Sequence, residues 1–289
     1  MRRWPSFWLP LCAMTVLAVL VLTLTQATAH PTPTPCPDPQ KPFDPPDQNT
    51  VGLAWGDSRF WAADRGAEES WIYYYCRDCT SSKWRKVFQW KDGRLGPIAW
   101  GGGGLWVVDE QRGKLFFLDL MPVPPRLTRE VTIPPTALRK PPAITGLAWD
   151  GSSLWLVTGC GLCSSFYRID PTGGRLLQSF FPKCEPRGLA FDGEFLWTVG
   201  YNGDRWPPRL DRRRVTQEPW SAVSSHTLLK FVPAAGGPFP RDPTALAARG
   251  NSLWAVDRAT GVIFEVVADR RELSKAPITP TPLLKKAGP

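Results

Sequence analysis

Leu147-Ala-Trp-Asp-Gly-Ser-Ser-Leu-Trp155 reads as two short strands joined by a tight turn. Successive side chains of a strand face opposite sides, so Leu147 and Trp149 share one face and Ala148 takes the other. Asp150-Gly151 supplies the positive φ that a two-residue hairpin needs, and Leu154-Trp155 opens the return strand. The pattern recurs as Leu53-Ala-Trp-Gly-Asp-Ser-Arg-Phe-Trp61, Ile98-Ala-Trp-Gly-Gly-Gly-Gly-Leu-Trp106, Leu189-Ala-Phe-Asp-Gly-Glu-Phe-Leu-Trp197 and Leu246-Ala-Ala-Arg-Gly-Asn-Ser-Leu-Trp254. The closing tryptophans are spaced by 45, 49, 42 and 57 residues, the period of a four-stranded unit repeated around an axis. The expected fold class is therefore all-β, a β-propeller of five blades with mostly four antiparallel strands. Alanines at 54, 99, 148, 190 and 247 let the inner strands crowd the axis.

Third strands are expected at 71–75, 114–119, 165–170, 227–232 and 262–267, and fourth strands at 84–90, 127–133, 175–181 and 272–276. The fourth unit has Pro233-Ala-Ala-Gly-Gly-Pro-Phe-Pro240 where an outer strand belongs, which predicts a short or missing outer edge. Gly101 to Gly104 is a hairpin turn and not a phosphate cradle, because Leu105-Trp106 continues as a strand where a phosphate loop needs Lys-Ser/Thr opening a helix.

Arg2 and Arg3 precede an apolar run from Leu9 to Leu24, and Ala27-Thr-Ala29 offers small residues for cleavage. Residues 1–29 read as a signal peptide, with an uncleaved membrane anchor as the alternative. Residues 30–50 form a proline-rich linker, 51–276 the propeller and 277–289 a second proline-rich tail. The expected location is secreted or extracytoplasmic, membrane-associated only if the leader is retained. The chain carries +9. Losing Arg2 and Arg3 reduces this to about +7, and no basic block or nucleic-acid motif accompanies it, which argues against nucleic acid. Abundant Arg and Pro with scarce Met fit a thermophile or a GC-rich genome.

Six cysteines follow the leader: Cys36, Cys76, Cys79, Cys160, Cys163 and Cys184. Export favours disulfides, and six cysteines allow 15 pairings. Cys160, Cys163 and Cys184 fall in connections of one propeller face and Cys76-x-x-Cys79 on the other, which argues against a shared zinc site. Structural bridges are expected: Cys76 to Cys79, one of Cys160 or Cys163 to Cys184, and Cys36 to the remaining one.

Three second strands end in aspartate, at Asp64, Asp109 and Asp257. They stand either as turn carboxylates bonding nearby amides or as ligands of a divalent cation at the propeller mouth. The fourth unit departs most from the repeat. Its segment from Tyr201 to Ser224 is expected as an insertion between the second and third strands, carrying Arg205, Trp206, Arg209, Arg212, Arg213, Arg214 and Trp220. Tryptophan and arginine dominate interfaces, and the guanidinium fork fits carboxylates and phosphates. Arg187 is expected to point into the same mouth.

Gly-Leu-Ala-Trp-Asp-Gly-x-x-Leu-Trp followed by Tyr167-Arg-Ile-Asp-Pro-Thr-Gly-Gly174 resembles the repeat of bacterial five-bladed propellers of the glutamine cyclotransferase-like and NHL-like class. The resemblance covers about residues 51–275 and implies the fold. It also implies, as a possible activity, attack of an N-terminal amine on a glutamine amide, with a carboxylate acid/base in the channel mouth. Family members resemble one another in Phe-Thr-Glu/Gln-Gly-Leu at the first inner strand. Here the stretch is Asn49-Thr50-Val51-Gly52-Leu53, and Val51 has no proton to transfer. With only His30 and His226, a multi-histidine metal centre is excluded. The reading is a monomeric binding module without a catalytic residue or resident cofactor, whose partner is a protein, anionic glycan or anionic surface. A glutaminyl cyclase-like enzyme is the alternative, and a structural envelope module the third.

Overall fold

The computed structural model describes residues 44–47, 49–77, 82–135, 143–159, 164–181, 185–201, 209–215, 224–227 and 242–267, all within the compact unit Cys36–Pro289. The segments expected as a leader and a C-terminal tail, and most of the expected proline-rich linker, lie outside them.

Five antiparallel sheets form an all-β five-bladed propeller. The first is β1 (Thr50–Gly56), β2 (Arg59–Arg65), β3 (Ser70–Arg77) and β4 (Ser82–Trp90). The second is β5 (Leu95–Gly101), β6 (Gly104–Asp109), β7 (Lys114–Asp119) and β8 (Arg126–Thr132). The third is β9 (Ala143–Trp149), β10 (Leu154–Gly159), β11 (Ser165–Ile169) and β12 (Leu176–Phe180). The fourth is β13 (Glu185–Phe191), β14 (Phe195–Tyr201), β15 (Arg209–Arg214) and β16 (Ser224–Thr227), and the fifth is β17 (Pro243–Arg249), β18 (Ser252–Asp257) and β19 (Val262–Val267). Inner strands β1, β5, β9, β13 and β17 touch in turn, and β17 returns to β1, which closes the ring.

The Leu-Ala-Trp alternation explains the seams. Alanine and the second-strand tryptophan of one blade face the next blade, while the flanking leucine faces the previous one. Ala54 and Trp61 thus pack with Ile98, Leu105 and Val107, and Ala99 and Trp106 with Leu147, Leu154 and Leu156. Ala148 and Trp155 meet Leu189 and Leu196; Ala190 and Trp197 meet Leu246 and Leu253. Ala247 and Trp254 close on Leu53 and Phe60. The five second-strand tryptophans are at most 3% exposed, so burial of large aromatic area at every seam holds the ring together.

Glycine permits the closest approach. A Cβ on Gly101 would lie 2.2 Å from the Trp149 ring, which itself stacks on Trp106 at 6.1 Å. Gly101→Ala is expected to displace that stack and cost roughly 2 kcal/mol, read as a lower urea midpoint with an unchanged slope.

Blade four corrects the sequence expectation. Arg209–Arg214 is its third strand, paired with β14 throughout, and Ser224–Thr227 is its outer strand; the third strand expected at 227–232 is therefore misplaced. The strand was hidden because its inward side chains include arginines. Leu210 is fully buried, and Arg212 and Arg213 are only 8% and 6% exposed. Arg212 lies over Phe195 and Trp197. Arg213, on the other face, lies over Phe166 and Phe180 of blade three. Arginine here substitutes for an apolar residue by laying its planar cation on aromatic faces. The outer strand β16 spans four described residues, and the stretch 233–240, where a short or missing outer edge was expected, lies outside the described residues. The fourth strand expected at 272–276 lies outside the described residues.

Candidate functional site

Each inner strand carries a register irregularity near its start. The pairing skips Val51 in β1, the Gly96-Pro97 step in β5, Thr145 in β9, Arg187 in β13 and Thr244 in β17. A bulge leaves its extra residue unpaired and re-aims its side chain. Val51, Thr145, Arg187 and Thr244 all line one cavity of about 300 Å³ at the axis. A repeated backbone device thus delivers one variable side chain from four blades to the mouth.

A second tier comes from the residue after each strand-ending aspartate. Arg65, Glu110 and Arg258 line the same cavity, together with Arg94. Their placement repeats: Arg65 N donates to Asn49 O, Glu110 N to Arg94 O and Arg258 N to Asp242 O, at 3.1, 2.9 and 2.9 Å. The guanidiniums are fixed by acids. Arg65 and Arg94 share the Glu110 carboxylate at 3.0 and 3.1 Å, and Arg65 Nε also donates to Leu95 O at 2.6 Å. Arg187 pairs with Glu185 at 2.6 Å, and Arg258 with Asp242 at 2.6 Å. Among the described residues three carboxylates therefore answer these four guanidiniums, Glu110 serving two, an excess of one positive charge within the set.

Thr145 Oγ1 donates to Pro186 O across the blade seam at 2.8 Å. That bond ties down the residue immediately before the Arg187 bulge. Thr244 Oγ1 is buried and has no hydrogen-bond partner among the described residues. Outward between blades one and two, Arg65 and Arg94 also border a polar cleft of about 510 Å³ that reaches Glu68, Glu69, Lys91 and Gln111. At the opposite end the axis narrows to about 50 Å³ between Trp55, Trp100, Trp149 and Phe191.

The three aspartates expected at the mouth do not line it. Asp109 Oδ1 accepts the amides of Arg94, Gln111 and Arg112, and its Oδ2 accepts Trp90 Nε1 at 3.2 Å. Asp257 Oδ1 accepts the amides of Asp242 and Ala259, and Oδ2 the Thr260 hydroxyl. Both are turn and connection carboxylates, the first of the two roles expected for them. Asp64 differs. It is 2% exposed with Oδ1 unpartnered, and burial, reinforced by Asp47 and opposed by Lys86, pushes its carboxyl up to about 6. Among the described residues no three acidic, histidine or cysteine side chains group as metal ligands.

Of the residues expected to bind a partner, Arg187 stands at the mouth. Arg212 and Arg213 are packed in the seams, and Arg214 pairs with Glu194 beside the β13–β14 hairpin at the lower face; none of the three belongs to an insertion. Tyr201 ends β14 and Arg209 begins β15 on the mouth side, so their connection leaves from and returns to that face. Arg205, Trp206 and Trp220 lie outside the described residues, as do the side chain of Cys76 and the other five cysteines. Sequence reasoning missed Arg65, Arg94, Glu110, Thr145, Thr244 and Arg258. The available signal was the variable column just before the inner-strand Gly/Ala, and the residue following each strand-ending aspartate.

No protein-family model matches the chain, and no curated protein matches its sequence. Solved structures resemble it. The Myxococcus xanthus glutaminyl cyclase crystal structure is 15% identical over 77% of this chain and 92% of that one, with a TM-score of 0.53. The nidogen/laminin complex superposes with a TM-score of 0.47 at 17% identity, covering 75% of this chain and 74% of that one. In architecture the chain is a five-bladed β-propeller, the fold it shares with the glutaminyl cyclase structure.

Proposed function

We propose that this protein is an exported binding module that docks an acidic partner, a protein or an anionic glycan, onto the mouth face of its propeller. The observation carrying this reading is the cluster of four arginines around the axial cavity, answered by three carboxylates. Preorganised guanidiniums are suited to carboxylate recognition. The adjoining polar cleft extends the face beyond what a small ligand needs.

Capture from an envelope extract tests it. The protein is expected to retain an acidic partner, and Arg94→Ala combined with Arg258→Ala is expected to release it at lower salt, because both side chains are 59% exposed and reach the approaching surface. Retention unaffected by the double variant sinks the assignment of this face. A loop exchange should replace 202–208 only. Removing the whole segment from Tyr201 to Ser224 also removes β15, with the buried Leu210, and is expected to unfold blade four.

The second reading is a glutaminyl cyclase-like enzyme. It draws on Glu110, the carboxylate among the described lining residues. Two arginines already bridge that carboxylate, and Val51 occupies the bulge where the resemblance places an acid. No ammonia release from peptides with N-terminal glutamine is expected; release abolished by Glu110→Gln would replace the binding reading with catalysis.

A further inference from the structure

We infer that the axial cavity holds a seat for one carboxylate, built by Arg187 and Thr244 on the inner-strand bulges of adjacent blades four and five. The inference rests on the reading of the mouth as an acidic-partner site and names the group that enters it. Both side chains line the cavity. Arg187 is held in place from behind by Glu185, and the strand that carries it is tied through Pro186 O to Thr145 Oγ1. The tie requires the backbones to come close: a Cβ on Gly159 would lie 2.8 Å from Thr145 and 3.2 Å from Pro186 O. Thr145 is thus a positioning residue for the seat.

Thr244 supplies the second contact. Its hydroxyl is buried without a partner, which is costly unless a ligand atom completes it. A hydroxyl donor beside a guanidinium matches the two oxygens of a carboxylate. Charge agrees around the cavity as a whole: among the described residues Arg65 and Arg94 share one carboxylate, Glu110, beside the Arg187–Glu185 and Arg258–Asp242 pairs. The cavity volume of about 300 Å³ accommodates a chain end or one acidic side chain rather than a folded surface. The remainder of a partner would then lie over the arginine-bordered cleft.

Calorimetric titration of the exported protein with three probes tests the seat: N-acetylated tetra-alanine with a free C-terminus, the same peptide as its amide, and the amide carrying one glutamate. Binding of the free acid alone identifies a chain terminus as the source, and binding of the glutamate peptide identifies an acidic side chain; either supports the seat. Arg187→Gln is expected to weaken binding about 30-fold and Thr244→Val about tenfold. Arg249→Ala, whose guanidinium lies over Trp55 at the far end of β17, is expected to leave binding unchanged. Thr145→Val, which loses the tie to Pro186, is expected to weaken the acid, and the loss relative to Arg187→Gln should vanish when the two are combined. Equal binding of acid and uncharged amide, or no binding of any probe by the native protein, overturns the seat. Salt-sensitive capture of a partner in the same preparation would leave the docking face standing, so the two failures are distinguishable.

Discussion

Trp155→Ala is expected to remove about 4 kcal/mol of stability, close to half of what a typical domain possesses. Trp155 is fully buried at the seam of blades three and four, against Leu189 and Leu196. Its indole N–H donates to Asp150 Oδ2 at 2.8 Å, and the same carboxylate accepts the amides of Ser152 and Ser153. Burial pushes the Asp150 carboxyl up, but these bonds outweigh it and hold it below its ordinary value. Removing the indole therefore empties the seam and strips a hydrogen bond from a carboxylate that needs it. Asp150 favours folding above its unfolded pKa and loses that contribution as pH falls through its depressed folded value. The deficit of the variant should accordingly shrink in strong acid.

A paired substitution isolates the hydrogen bond. Trp106 is equally buried, but its indole nitrogen has no partner, because Gly101 stands where the third blade has Asp150. Trp106→Phe is expected to cost about 1 kcal/mol less than Trp155→Phe, the worth of one buried charge-assisted bond. Urea unfolding followed by circular dichroism reads both. Equal losses would mean that the Asp-x-x-x-x-Trp contact contributes nothing beyond volume.

Blade positions and the mouth differ in how far the sequence discloses them, for a physical reason. Seams are built by large side chains at fixed strand parity, so Leu-Ala-Trp with its turn glycine announces both the strand pair and the face each residue takes. Bulges announce themselves less, since the backbone slips by one residue while the pattern around it continues. Thr50-Val51-Gly52, Ile144-Thr145-Gly146, Pro186-Arg187-Gly188 and Pro243-Thr244-Ala245 each place a varying residue before a glycine or alanine. The mouth is composed from that column. Arg212 and Arg213 misled for the converse reason: arginine reads as solvent or interface, yet aromatic faces in the seams accept its guanidinium. A strand with charged inward positions therefore reads as an insertion.

Asp64→Asn is expected to stabilise the protein at neutral pH, on the order of 2 kcal/mol, although the equivalent change at Asp109 should destabilise it. Both residues end second strands and share their strand parity with side chains that face the preceding blade. Asp109 is saturated by three amides and an indole, so an amide group in its place would turn a donor toward donors and cost about 2 kcal/mol. Asp64 pairs across the ladder with Thr50, has one oxygen buried without a partner, and titrates at about 6 because burial and Asp47 disfavour its charge. Its folded value lies above the unfolded one, so the folded state binds the proton more tightly. Stability contributed by neutral Asp64 is present below about pH 4 and is lost as pH rises to about 6. The native protein should therefore weaken across that window relative to Asp64→Asn, with the two converging in acid. Denaturant unfolding at several pH values from 4 to 8 measures the gap. A gap that is independent of pH would place the titration elsewhere, and a variant less stable at pH 7 would show that the Asp64 charge has a partner that outweighs its desolvation. The contrast between two aspartates at one repeat position makes Asp64 the pH-sensitive member of the pair.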